Sequence, residues 1–265
     1  MGTKHKISSI IIAKDEENNI RRCIESQLNC IDEIILLVDD RTTDRTLEIA
    51  NSYSRVKCEL IKWLGYGGTK QYAVSLANNE WIFWIDADEV ITTNLSDELN
   101  EFKNISPVYS VYAVPRLAYF LGRWIKHSGW YPGRVTRLFN KNFANFSQKN
   151  VHEDLIFTGK AGNLNSDLLH YTDPSIRHYF EKFNNYTSLA ADELLKKNKR
   201  FFAGDIILRP FFIFIKMYFI KLGFLDGIQG FMLAVFSSSY VFTKYCKFWE
   251  AKKSGNNNNG KDVEK

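Results

Sequence analysis

The run Trp81-Ile82-Phe83-Trp84-Ile85 ends abruptly in Asp86-Ala87-Asp88-Glu89, three carboxylates within four residues. A short apolar run with polar borders predicts a strand buried on both faces. Strands of that kind belong to open α/β sheets, whose ligands bind at the strands' C-terminal ends. Carboxylates at alternate positions there can hold a hard divalent cation, which in turn neutralises a diphosphate. The plainer alternative is that Asp86 and Asp88 cap a following helix or line a solvated turn.

The preceding residues narrow the choice, because residues 7–90 alternate between strand and helix patterns. Ile7–Ala13 predicts a buried strand, and residues 18–28 carry Ile20, Cys23, Ile24 and Leu28 at helical spacing. Residues 33–38 form the next strand pattern, followed by Asp39-Asp40-Arg41-Thr42-Thr43-Asp44. Thr43 or Asp44 is a candidate N-cap for a helix through Ala50. A third strand over 56–61 and a helix over 69–77 lead to the strand ending at Asp86. This β-α-β-α-β-α-β order implies a parallel sheet of the nucleotide-binding type. No Gly-x-Gly-x-x-Gly follows the first strand and no phosphate-binding P-loop is present, which disfavours a dinucleotide fold. Further on, residues 109–119 alternate toward β, 129–133 read as a loop, and 135–139 as a strand. Asp173-Pro174 opens a helical pattern with Asp at the N-cap and Pro at the first helical position.

Four motifs now stand in one order: Ala13-Lys14-Asp15-Glu16-Glu17-Asn18, Val38-Asp39-Asp40-Arg41-Thr42-Thr43-Asp44, Gly67-Gly68-Thr69-Lys70-Gln71 and Asp86-Ala87-Asp88-Glu89. Together they resemble the family 2 glycosyltransferases of the GT-A fold. The resemblance is dense over residues 7–90. It continues through Arg134-Val135-Thr136-Arg137-Leu138-Phe139, Val151-His152-Glu153, Leu168-Leu169-His170-Tyr171 and a basic, aromatic C-terminus, which is similar to the branch of lipopolysaccharide core β-1,4-glucosyltransferases. It implies an α/β, nucleotide-sugar-binding sheet with helices on both faces, followed by a helical extension. The expected domains are a catalytic domain over residues 1–172, a membrane-proximal extension over 173–253 and a disordered tail over 254–265.

Carried over residue by residue, the resemblance implies that Asp39 accepts a hydrogen bond from the uracil edge and that Ala13 and Asp15 line the base and ribose pocket. Glu16 and Glu17 serve equally well as acids complementing a helix N-terminus. Lys70 stands where the family usually has Arg in Gly-Ala-Arg-Asn; it supplies positive charge to a diphosphate without the bidentate reach of Arg. Asp88 would ligate Mg²⁺ or Mn²⁺, with Asp86 on the ribose or the metal and Ala87 on the donor between them. His170 is a further metal ligand, a donor behind the metal, or a structural histidine. An inverting transfer needs one carboxylate to deprotonate the acceptor hydroxyl. Glu153 of Val151-His152-Glu153-Asp154 matches the branch pattern for that base, and Asp154 is its rival. Trp124, Trp130 and Tyr131 flank glycine-containing loops and are either sugar platforms or core aromatics.

The implied reaction moves a hexose, expected to be glucose, from a UDP-sugar to a glycolipid or lipopolysaccharide-core acceptor. Charge placement bears on where this happens. Residues 196–253 hold eleven Lys/Arg against three acids, a net +8, while the rest of the chain carries −3. Within that segment Phe201, Phe202, Phe211, Phe212, Phe214, Met217, Tyr218 and Phe219 crowd together, and Arg209, Lys216 and Lys221 interrupt the apolar run. Arg209-Pro210, Gly223 and the glycines at 227 and 230 are expected to interrupt the helical pattern of 201–249. That composition suits a helix lying in the headgroup region of an anionic membrane; a core helix or a dimer interface is the alternative. No nucleic-acid module accompanies the charge, so nucleic acid is not an expected partner. The four cysteines, at 23, 30, 58 and 246, show no paired Cys-x-x-Cys spacing, and the first residues run into a strand without a secretory pattern. The expectation is a cytoplasmic protein peripherally attached to the inner face of the cytoplasmic membrane. Three rival functions share some of these features. Asp86-Ala87-Asp88-Glu89-Val90 fits the Asp-x-Asp-x-Val of haloacid-dehalogenase-type phosphatases, although there the motif ends the first strand. A nucleotidyltransferase also pairs carboxylates with a metal, but its basic Gly-rich loop is replaced here by Lys14-Asp15-Glu16-Glu17. The third is a non-catalytic membrane-surface sugar-binding protein.

Overall fold

A computed structural model describes residues 4–147, 155–173 and 175–259, with side chains through Ser254. The chain divides into two compact units. The first comprises Met1–Leu117 and Pro132–Tyr171, the second Ala118–Tyr131 and Thr172–Lys265.

The first unit opens with β1 (Ile7–Ala13), α1 (Ile20–Gln27), β2 (Glu33–Asp39), α2 (Thr46–Asn51), β3 (Val56–Ile61), α3 (Tyr66–Leu76) and β4 (Trp81–Asp86). It continues through β5 (Glu89–Ile91), α4 (Thr93–Phe102) and β6 (Val111–Val114). The chain then passes along β7 (Arg116–Phe120) and β8 (Arg123–Ile125) before β9 (Val135–Asn140), β10 (Ala144–Phe146), β11 (Leu155–Phe157), β12 (Gly162–Asn163) and β13 (Leu168–Asp173). A seven-stranded sheet has the order β12-β6-β9-β4-β1-β2-β3. Its β3-β2-β1-β4 portion is parallel, and β9 closes on β4 antiparallel.

Strand alternation explains why both faces are covered. Ile7 and Ile11 of β1, Ile34, Leu36 and Val38 of β2, and Trp81, Phe83 and Ile85 of β4 pack with α1, α2 and α4 through Ile24, Ala50 and Leu99. The intervening Ile10, Ile35, Leu37 and Ile82 pack with Ala73 and Val74 of α3 and Phe146 of β10. Period-two alternation sends successive side chains to opposite faces, and here both faces are apolar. The expected parallel sheet with helices on both sides is what forms.

Some boundaries differ from the sequence expectation. α3 begins at Tyr66, three residues early, because Gly65 at φ 80° turns the chain and its carbonyl accepts from the Thr69 amide at 2.9 Å. At α2 neither Thr43 nor Asp44 occupies the cap position, which falls to Arg45. Asp44 nonetheless accepts from the Thr46 amide at 2.9 Å and from the Glu17 amide at 2.8 Å, tying the loops after β1 and β2 together.

The second unit begins with the β7–β8 turn, whose Phe120, Ile125 and Trp130 form one cluster with Tyr179, Met217, Leu233 and Phe236. These contacts place 118–131 with the helical unit, whereas a boundary at 172 alone would have left it in the catalytic domain. α5 (Ile176–Lys196) is capped by Ser175, whose hydroxyl accepts from the His178 amide at 3.1 Å. Asp173 instead ends β13, so the helix starts later than the Asp173-Pro174 reading expects. α6 (Gly204–Ile215) runs through Pro210, a residue expected to interrupt it. A π-helical turn over Lys216–Ile220 and a 3₁₀ turn over Gly223–Asp226 follow, then α7 (Gly227–Asn259). Gly230 permits the return of α7, since a Cβ there would lie 1.9 Å from the Gly223 carbonyl oxygen. α7 carries helix into the tail expected to be disordered from residue 254, and residues 260–265 lie outside those described.

Replacing the cap tests the reassigned start of α5. Ser175→Ala removes a bond worth about 1 kcal/mol, so hydrogen exchange at the His178 amide is expected to accelerate roughly fivefold. Asp173→Ala should leave that amide unchanged.

Candidate functional site

Parallel register sets the site. Ile12 of β1 lies opposite Asp86 of β4, Ala13 opposite Val38 of β2, and Asp39 opposite Ile61 of β3. The C-terminal ends of these strands therefore open on one edge, where a cleft of about 380 Å³ forms. Ala13, Lys14 and Glu16 line it after β1, Asp39 and Arg41 after β2, and Asp86, Ala87 and Asp88 after β4. Trp63 and Tyr66, before and at the start of α3, complete the wall with rings edge-on at 4.8 Å. Sequence reading missed this aromatic pair and looked to Trp124, Trp130 and Tyr131. Trp130 instead packs in the helical unit's core against Phe120, and Trp124 meets Tyr119 edge-on. The signal for the pair was two aromatics bracketing Gly65 directly before a helix.

Asp39 reaches the cleft but is buried, and Arg41 clasps it. The Arg41 amide and Nε donate to Oδ1 at 3.0 and 2.9 Å, and Nη2 donates to Oδ2. This fork holds the Asp39 carboxyl well below the usual range, at about 2. Asp15 is not among the residues lining the cleft. It adopts a left-handed φ of 54° and accepts from the Thr43 amide and hydroxyl at 2.8 and 3.2 Å, so its carboxylate ties two loops together. Lys70, read as a diphosphate contact, is likewise absent from the lining. It is buried, with Nζ 3.7 Å from the Trp84 ring centroid, where a desolvated ammonium gains from the indole face.

At the end of β4 the acids diverge. The Asp88 carboxylate lies 3.2 Å from Nε2 of His170, and the Asp88 carbonyl accepts from the Tyr171 amide at 2.9 Å. His170 gets there because β13 pairs antiparallel with β5, His170 opposite Glu89. Asp86 faces Arg137 of β9, a residue to which sequence reading gave no role: Nη2 is 2.6 Å from Oδ2 of Asp86 and 2.6 Å from Oε1 of Glu89. Burial works to raise the Asp86 carboxyl, but the charges of Arg137 and Lys70 outweigh it and hold the group below its ordinary value. Glu89 moves the other way, raised chiefly by full burial despite Arg137. The signal for Arg137 was a lone cation inside the apolar strand pattern 135–139.

Among the described residues no group of three or more His, Cys, Asp or Glu side chains is arranged to hold a metal ion. Asp88 and His170 form a two-donor set beside the cleft, a composition that fits a divalent cation sharing its remaining positions with water and ligand oxygens. Glu153 and Asp154, the candidate bases, lie outside the described residues. The strands flanking their segment are described: Phe146 pairs with Leu155, and its ring meets Trp84 at 5.7 Å.

Comparison with known proteins agrees with this geometry. The model of glycosyl transferase family 2 matches residues 8–163. An uncharacterized glycosyltransferase of Rickettsia felis is 34% identical, over 94% of this chain and 90% of that one. The lipopolysaccharide core biosynthesis glycosyltransferase LpsC of Rhizobium meliloti is 30% identical over 93% of each chain. A mannosyltransferase of Pyrobaculum calidifontis, solved with GDP-Man and Mn²⁺, shares the fold at a TM-score of 0.54 and 10% identity, over 92% of this chain and 87% of that one. The family match and the relatives, more than the sheet itself, set aside the phosphatase and nucleotidyltransferase readings: the chain belongs to glycosyltransferase family 2 and has the GT-A fold.

Proposed function

We propose that the chain transfers glucose from UDP-glucose to a glycolipid or lipopolysaccharide-core acceptor with inversion at the anomeric carbon. The observation that carries the reading is the cleft itself, with Asp39 on one side and Asp86-Ala87-Asp88 on the other. Asp39 is ionised and can accept from the N3–H of uracil once Arg41 yields. Ala13 leaves room for the base against the backbone, and Trp63 with Tyr66 offers apolar faces beside it. Asp88 and His170 would hold Mn²⁺ or Mg²⁺, and the nitrogen donor favours Mn²⁺. The cation, when bound, supplies charge to the departing diphosphate. The relationship to LpsC supports a lipopolysaccharide-core acceptor.

Chemistry then needs one proton acceptor. The acceptor oxygen bonds to the anomeric carbon as the bond to UDP breaks, and its proton passes to a carboxylate, for which Glu153 is proposed. Of the described residues on either side of it, Phe146 pairs with Leu155, and Phe146 packs on Trp84, two residues before Asp86. Because the diphosphate leaves as an anion, no second acid is required.

We further propose that the helical unit rests on an anionic membrane. Ile207, Leu208 and Phe211 of α6 are 66–70% exposed, and Phe219, Ile220, Phe224, Leu225 and Ile228 extend the apolar surface. Lys216 and Lys221 lie exposed among them, as does Arg209, which pairs with Asp205 one turn earlier, and Asp226 is buried. No described helix is long and apolar enough to cross a membrane, so insertion to headgroup depth is the fitting mode. Self-association is the less favoured occupant, because residues 207–231 offer no exposed acid to meet Lys216 and Lys221.

Calorimetry should find UDP binding weak in EDTA and tighter with Mn²⁺, and Asp88→Ala should abolish the difference; equal affinities in both buffers would remove the metal from this site. Glu153→Gln should retain UDP binding while transfer falls by about 10²–10⁴-fold, with Asp154→Asn milder. The reverse order would move the base to Asp154, and an α-linked product would exclude inversion. Sedimentation with phosphatidylglycerol vesicles should weaken with salt yet leave a salt-resistant fraction that Phe211→Ser/Phe212→Ser eliminates. A wild-type chain that ignores such vesicles at low salt would reassign the surface to self-association.

A further inference from the structure

Arg137 combines features that charge balance alone does not require. Its side chain is 1% exposed, and one nitrogen, Nη2, meets both Asp86 and Glu89 at 2.6 Å. Nε and Nη1 are buried without a hydrogen-bond partner among the described residues, so the fork is spent on one bridging contact when a bidentate pairing would satisfy it better. Its guanidinium carbon lies 3.4 Å from the Trp84 ring centroid, which fixes the plane of the group. Glu89 already has a second cation near it, Arg116 at 3.7 Å, and its other oxygen accepts from the Asp86 amide at 3.0 Å. Asp86, by contrast, keeps 35% of its side chain exposed while Oδ2 is held from behind. Buried donors left unmade are costly and persist where something else is gained.

We propose that Arg137 is a positioning residue for the donor. Anchored on Trp84 and Glu89, it holds one oxygen of Asp86 and so presents the rest of that carboxylate to the cleft in a single orientation before any ligand arrives. The inference rests on the reading above that Asp86 faces the donor. Arg137 itself does not line the cleft, so its effect on the donor runs through Asp86. The donor then meets a carboxylate already oriented, and loses less affinity to ordering it.

The test separates position from charge balance. In the full chain, Glu89→Gln/Arg137→Met removes one buried charge of each sign, and Arg137→Lys keeps the charge on a compact head that cannot bridge as the guanidinium does. Thermal unfolding reports whether each variant folds; calorimetry with MnCl₂ reports Kd for UDP or GDP, whichever the wild type binds more tightly. Both folded variants are expected to keep a near-wild-type melting midpoint and to bind the nucleotide about tenfold or more weakly, a loss a merely structural role would not produce. Wild-type affinity in either folded variant overturns the proposal, and failure of both to fold assigns Arg137 to folding instead. Asp86→Asn is the control on the underlying reading. If it too binds normally, or the wild type binds neither nucleotide, the donor assignment of Asp86 fails and this inference with it; if it alone is weakened, only the role of Arg137 is lost.

Discussion

Asp86, Asp88 and Glu89 would repel one another at the end of β4 if no positive charge lay behind them. Arg137 supplies most of it, with Lys70 and Arg116 nearby, and the arrangement of Asp86 and Glu89 at that edge depends on its contact. A guanidinium taken out of water loses hydration worth several kcal/mol, which only close, oppositely charged partners recover. Two carboxylates at 2.6 Å and an indole face at 3.4 Å provide them. Removing one partner of such a buried set costs about 3–5 kcal/mol, because the charge left behind is uncompensated. The antiparallel pairing of β9 with β4 is what delivers Arg137 to that place, since Leu138 opposes Phe83 and Arg137 falls beside Trp84. The single antiparallel neighbour of the parallel strands is thus the element that lets the acids gather at their edge.

Much of this was legible locally. The four parallel strands announce themselves as short apolar runs, and all of them fall where the periodicity puts them. Ala13, Asp39, Asp86, Ala87 and Asp88 converge on one cleft because each closes or follows a strand whose register the sheet order fixes. What escaped was non-local. Arg137 stands 51 residues from Asp86 in sequence, and only strand pairing brings them together. Lys70 could be placed near the acids from its helix, but its burial over Trp84 depends on Phe146 arriving from β10. Asp15 reads as a pocket acid until the left-handed turn that aims it at Thr43 is seen.

The second unit shows the opposite failure, where local breakers were over-read. Pro210 sits inside α6 with its carbonyl accepting from the Ser238 hydroxyl of α7 at 2.9 Å, so tertiary packing carries the helix through a residue that should end it. Gly227 and Gly230 do not interrupt a helix; they begin α7 and allow it to pass over the 3₁₀ turn. Propensity is a weak prior wherever two long helices bury a shared face. The hairpin 118–131 belongs to this unit for the same reason: Phe120 and Ile125 find their apolar partners on α7.

Two arginines hold two acids of the cleft, and their surroundings give them different roles. Arg137 is sealed, so the orientation it imposes on Asp86 cannot relax through water. Arg41 clasps Asp39 with more bonds, yet its own side chain is 58% exposed. The pair is open to solvent on one side only: Arg41 regains water cheaply when it leaves, whereas the Asp39 carboxylate, 2% exposed, needs another donor in its place. The Asp39 carboxyl at about 2 remains ionised at any physiological pH, and under the proposed reading a donor on the ligand takes the place of the exposed Arg41. Burial of the arginine, and not of the acid it holds, separates a permanent strut from a displaceable cover, and the cleft has one of each at its two ends.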